Sequence, residues 1–202
     1  MDAPNAIWSA DFKGQFRLGD GQVCYPLTIA DGYSRMLLGC QALTGVTAAE
    51  SQPVFRHLFR TYGLPARIRS DNGVPFATQA LGRLSPRSVW WIRLGVLPDL
   101  IEPASPQQNG RHERMHRTLK RDTARPPQHS RRAQQRRFDA WRREFNELRP
   151  HEALGDATPA SRYAPSPRPY PTRLAPLEYP AHYERRLVSA TAASAGTPDG
   201  SM

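Results

Sequence analysis

Three acids in this chain stand where chemistry is possible. Asp11 falls near the end of an apolar run, Asp71 opens the turn Asp71-Asn72-Gly73, and Glu113 lies inside an amphipathic stretch that begins at Ser105. Taken singly, each has an ordinary role: a strand-end Asp caps a turn, Asp-Asn-Gly is turn chemistry, and Glu113 can pair with Arg117 at i,i+4. Taken together they differ, because neighbouring strand ends and an adjacent helix can bring three carboxylates to one point, where like charges are costly without a cation. Hard oxygen ligands, with no paired His or Cys, favour Mg2+ or Mn2+. Two such ions can activate a nucleophilic oxygen and stabilise a leaving oxygen in phosphoryl transfer. Asp31 is the rival for the first position, but Asp31-Gly32 reads as a turn-former.

The elements that must position these acids follow from local patterns. Residues 6–12 are apolar enough for a central strand, and the runs 23–30 and 35–43 flank Asp31-Gly32 as an antiparallel hairpin. Thr47 to Glu50 forms a capping box, followed by a stripe of Val54, Phe55, Leu58, Phe59 and Tyr62, with Gly63 and Pro65 as stop signals, which predicts a helix. A short strand over 66–70 leads into Asp71. Pro86 predicts a short helix that carries Val89, Trp90 and Leu94 inward, and 96–102 reads as another strand. A helix with Ser105 as N-cap and Pro106 in its first turn then holds Glu113, His116, Arg117 and Lys120 on one face. Another helix, over 130–148, places Phe138, Trp141, Phe145 and Leu148 on one stripe. The order β-β-β-α-β-α-β-α disfavours a simple alternating doubly wound sheet.

Charge narrows the partners. The formal net charge is +10, and between 106 and 150 thirteen basic residues stand against five acidic ones. Such a basic concentration suits a polyanion, most simply nucleic acid, although a merely solvated basic helix has the same composition. Cys24 and Cys40 sit in strand-like runs without neighbours at metal spacing, so neither a disulfide framework nor a zinc site is expected. No apolar run is long enough to span a bilayer and MDAPNAIW lacks a signal-peptide pattern, which predicts no membrane association and a cytoplasmic location. The chain divides into a core over 1–154 and a Pro-rich extension over 155–202, its last residues expected to be disordered.

The runs WSADFKG, DGYSR, GLPARIRSDNGVPF, PQQNGRHERMHRTLK and NELRPHEALGDATPASRY resemble, in order, the integrase catalytic core of DDE-type insertion-sequence transposases, which is related to that of retroviral integrases. The resemblance spans Trp8 to Tyr163. It implies an α/β, ribonuclease-H-like fold: a five-stranded mixed sheet flanked by helices, its first three strands antiparallel. It also implies a metal-dependent DNA strand cleavage and strand transfer. It carries the catalytic, metal-binding triad onto Asp11, Asp71 and Glu113, whereas His151, in the stretch RPHEAL after the core, reads as structural rather than catalytic. DNA contacts fall to Gln108, Asn109, Arg114, Arg117 and Lys120, and paired DNA ends imply a homo-oligomer. Departures from the family pattern matter too. The chain begins almost at the first core strand, where the family carries a helix-turn-helix region, and no small β-barrel follows the Pro-rich segment, so a truncated copy without autonomous end recognition is expected. Asp71 and Glu113 stand 42 positions apart, longer than is typical, with the excess expected around Gly82 to Trp91. The alternatives are a catalytically silent DNA-binding remnant and a nuclease that hydrolyses without strand transfer.

Overall fold

The structure, a computed structural model, describes residues 2–12, 14–70, 85–100, 110–174 and 176. Its elements are β1 (Ile7–Phe12), β2 (Phe16–Arg17), β3 (Val23–Asp31), β4 (Leu37–Leu43), α1 (Ala48–Tyr62), β5 (Arg67–Ser70), α2 (Pro86–Arg93), β6 (Leu97–Leu100), α3 (Gly110–Thr123) and α4 (Arg131–Glu147). Two short 3-10 turns follow, Glu152–Leu154 and Pro159–Arg162. The sheet runs β4-β3-β1-β5-β6, with β2 pairing β3 beyond the end of β1. β3 is antiparallel to both β1 and β4, whereas β5 is parallel to β1 and β6 to β5. This is the five-stranded mixed sheet that the family resemblance implies, with β2 as a two-residue addition.

Period-two alternation sends successive side chains to opposite faces. From β1, Trp8 and Ala10 enter a cluster with Phe55, Phe59, Ile68 and Trp91 beneath α1 and α2. On the other face Cys24, Leu37, Cys40 and Ala42 pack with Leu119 of α3 and with Phe138, Trp141 and Phe145 of α4. The register against β3 skips Leu38, pairing Ile29 with Gly39 and Ala30 with Leu37. That bulge lets Leu37 join Cys40 on the α4 side while Leu38 turns to the α1 side. Burial pushes the Cys24 thiol up to about 12 and the Cys40 thiol higher still, as expected of core thiols rather than reactive ones.

Four local readings are corrected. The β3–β4 hairpin places its left-handed residue at Arg35 (φ 65°), with the chain turning between Asp31 and Leu37 rather than tightly at Asp31-Gly32. Asp31 remains a turn-holder: its buried carboxylate accepts from the backbone N–H groups of Asn5 and Ser34 and from the Ser34 hydroxyl. Thr47 caps α1 through the Glu50 N–H, yet the Glu50 carboxylate accepts from the Thr44 and Gly45 N–H groups instead of closing a reciprocal box. In α2 the wholly buried side chain is Trp91, and Val89 is exposed. Leu148, expected on the α4 stripe, is 73% exposed.

The outer edge of β4 would leave backbone groups unpaired, and α4 satisfies them with side chains. Asn146 accepts from Leu37 N at 2.9 Å and donates to Leu37 O at 3.0 Å. Gln135 repeats the arrangement on Ala42 N and Cys40 O. Between α3 and α4 the Asp122 carboxylate accepts from Arg121, Trp141 Nε1 and Arg149. The Arg121 guanidinium first, then the Trp141 and Arg149 donors, outweigh partial burial and hold its carboxyl at about 2.

Beyond the second 3-10 turn the Pro-rich chain lies across the amino-terminal ends of the parallel strands. Tyr163 donates to Asn5 Oδ1, Leu64 N donates to Arg168 O, and the Arg168 guanidinium donates to the carbonyls of Pro65, Leu94 and Gly95. Tyr170 stacks on Phe59 with ring centroids 6.2 Å apart. Gly63 (φ 79°) is required beneath this segment, since a Cβ there would sit 2.6 Å from Ser166 O.

Two stability predictions follow from these contacts. Asn146→Ala strands the buried Leu37 N–H and C=O, so urea unfolding should show a loss of about 2 kcal/mol, against roughly 1 kcal/mol for the more accessible Gln135→Ala. A depressed Asp122 pKa stabilises the fold above about pH 4, and that stability drains as pH falls toward 2. Asp122→Asn should therefore lower stability by about 1 kcal/mol at neutral pH and flatten its decline between pH 4 and 2, measured by urea titrations across that range.

Candidate active site

Asp11 lies in β1 at the carboxyl end of the sheet's parallel strands, directly across from Thr28 of β3. Its neighbour Ala10 pairs with Ser70, the last residue of β5, so the chain leaves β5 beside Asp11. Asp71 is the next residue after Ser70 and lies outside the described residues. Glu113 belongs to α3, one turn before His116, and its side chain likewise lies outside them. Among the sequence-predicted acids, the structure thus gives side-chain geometry for Asp11 alone. Among the described residues no group of three potential metal ligands occurs, two of the three acids being excluded. Asp11 itself suits a divalent cation: a hard oxygen donor at a strand end, 21% exposed and so reachable from solvent.

The helix reading placed His116 on the polar face with Glu113, Arg117 and Lys120. It is instead wholly buried. Its Nε2 lies 2.6 Å from the Thr28 hydroxyl and its Nδ1 lies 3.4 Å from Asp11 Oδ2. The same hydroxyl is 3.2 Å from the Asp11 carbonyl. One imidazole therefore touches β1 and β3 from α3. Its sequence signal was the spacing from Leu119 and Thr123, three and seven residues on, both buried.

Around α3 the remaining predicted DNA contacts divide clearly. Arg114, Arg117 and Lys120 are exposed, whereas Gln108 and Asn109 lie outside the described residues, as does the Ser105 cap. A cavity of about 380 Å³ opens beside this helix, lined by Ser9, Arg35, Arg114, Met115, Phe145 and His151 among others. His151 is held structurally there, edge-on to Phe145 at 4.7 Å and bridged through its backbone to Ala157. Burial, more than the charges of Arg35 and Arg149, keeps its imidazole pKa below the ordinary value.

Known proteins resemble this arrangement in sequence and in fold. An integrase core domain model matches residues 1–106, and a second integrase core domain model matches residues 94–159. The insertion element IS407 uncharacterized 31.7 kDa protein of Burkholderia multivorans is 28% identical over 159 residues, covering 78% of this chain and 55% of its own length. The insertion element IS476 uncharacterized 39.2 kDa protein of Xanthomonas euvesicatoria is 28% identical over 158 residues, covering 78% and 44%. The chain spans about half the length of these two relatives. Among solved structures, the simian T-cell lymphotropic virus intasome bound to PP2A regulatory subunit B56 gamma superposes with a TM-score of 0.63 at 20% identity, covering 91% of this chain and 61% of that one. The HTLV-2 integrase catalytic core domain in complex with magnesium gives 0.56 at 16% identity, covering 81% and 99%. These likenesses establish the ribonuclease-H-like fold.

Proposed function

The chain belongs to the integrase core domain family, and we propose that it is the catalytic core of an insertion-element transposase, cutting DNA at element ends and joining the new 3′-hydroxyl to target DNA. The observation that carries this reading is the placement of Asp11 beside the exit of β5, where Asp71 follows Ser70. In this reading Asp11, Asp71 and Glu113 hold Mg2+ or Mn2+ as a pair of ions. When bound, these would neutralise the three carboxylates and support phosphoryl transfer between DNA oxygens. The protein's own part is to bind and align the DNA. Arg114, Arg117 and Lys120, exposed on α3, contact phosphates, and Gln108 and Asn109 at the approach to the helix contribute further DNA contacts. Joining two ends calls for a homo-oligomer. Among the described residues no helix is long and apolar enough to cross a membrane, and a cytoplasmic location suits a protein that works on DNA.

Supercoiled plasmid incubated with the chain and Mg2+ or Mn2+ should be nicked and joined. Asp11→Asn and Asp71→Asn should each lose at least ~100-fold in rate while still binding DNA. Full activity in Asp71→Asn would remove the triad. DNA binding without metal-dependent nicking in the unaltered chain would mark a silent DNA-binding remnant, and nicking without joining would mark a nuclease.

Metal addition should also register in stability. Mg2+ at about ten times its Kd should raise unfolding stability by ~1.4 kcal/mol in the unaltered chain and leave Asp11→Asn unmoved, by calorimetry. Arg117→Ala and Lys120→Ala should each reduce the slope of log K against log salt for duplex DNA by about 0.9.

A further inference from the structure

His116 is a polar group buried where an apolar side chain would fill the space at lower cost. A buried imidazole is expensive unless its nitrogens are engaged, and here each nitrogen faces a polar group. The Thr28 hydroxyl, itself wholly buried, sits 2.6 Å from Nε2, and Asp11 Oδ2 sits 3.4 Å from Nδ1. With the Thr28 hydroxyl donating to Nε2, the neutral ring carries its hydrogen on Nδ1, facing the Asp11 carboxylate rather than turning a lone pair toward it. The 3.4 Å separation is longer than a full-strength hydrogen bond, so the contact steers the carboxylate electrostatically.

Resting on the metal-binding reading of Asp11, we infer that His116 is a positioning residue for that carboxylate, and that Thr28 orients the imidazole. An Nδ1–H beside Oδ2 selects one rotation of the Asp11 carboxyl and increases its order before a cation arrives. The same ring belongs to α3, three residues after Glu113, so it also ties the helix bearing the third acid to the strand bearing the first. Thr28 contributes from β3 because the register sets it directly opposite Asp11. Ligand-supporting partners of this kind, when removed, weaken metal binding by about 10- to 100-fold.

The test is Mn2+ binding to the full chain by titration calorimetry, with the melting temperature of each metal-free variant measured alongside. Thr28→Val keeps the β-branched shape and removes the hydroxyl. It should weaken Mn2+ binding by about 10-fold with a melting temperature close to that of the unaltered chain. His116→Ala should weaken it by ~10- to 100-fold, and His116→Asn, which restores an N–H donor, should recover part of the loss. A purely structural role would lower the melting temperature and leave Mn2+ affinity of the folded protein unchanged, and that result overturns the inference. Should His116→Ala not fold, Thr28→Val and His116→Asn decide: unchanged Mn2+ affinity in both overturns it. Asp11→Asn separates this from the reading beneath it. If that variant binds Mn2+ as tightly as the unaltered chain, or if the unaltered chain binds none, the metal role of Asp11 falls and the role of His116 with it. If Asp11→Asn alone loses binding, the metal site stands and His116 is a packing residue.

Discussion

β1 is hydrogen-bonded in opposite senses on its two sides, and the surroundings of Asp11 depend on that constraint. Its antiparallel neighbour β3 follows through a short excursion, whereas its parallel neighbour β5 must be reached by a crossover, which α1 provides. Only a parallel neighbour ends at the same pole as β1. This brings Ser70, the last residue of β5, level with Ala10, the neighbour of Asp11. An antiparallel β5 would instead end at the pole opposite Asp11.

Much of this was legible from local pattern, and its failures have physical causes. The α1 stripe and the Phe138, Trp141, Phe145 stripe of α4 were readable because a 3.6-residue period fixes their angular positions. The period does not say where burial ends. His116 lies at the border between the Leu119 and Thr123 side of α3 and its charged side, so it was placed with the wrong neighbours. In α2 the consecutive residues Val89, Trp90, Trp91 and Ile92 are apolar all round, and only tertiary contact selects Trp91. Gln135 and Asn146 leave no signal in the sequence because their partners are backbone groups of β4, more than ninety residues earlier in the chain. Asp71 and Glu113 stand out by their places in the sequence, Asp71 directly after β5 and Glu113 within α3.

Net charge alone overstates the free cationic surface. Arg142 and Arg149 fall inside the basic segment, yet Arg142 donates to Leu38 O and Arg149 clamps Asp122 and lies over the Trp141 ring. Arg87 and Arg168 are likewise committed to backbone carbonyls. Guanidinium serves here as an internal fastener because one planar group can satisfy several acceptors at once. The exposed cations of α3 are a different population, set apart by accessibility rather than by residue type.

Arg168 has a mechanical implication. It gathers the carbonyls of Pro65, Leu94 and Gly95, which precede β5 and β6, while Tyr163 and Ala164 secure Asn5 ahead of β1. All of these attachments lie at the pole opposite Asp11. A pull on the Pro-rich segment is therefore resisted first at the amino-terminal ends of the three parallel strands, with the length of the strands between the load and Asp11.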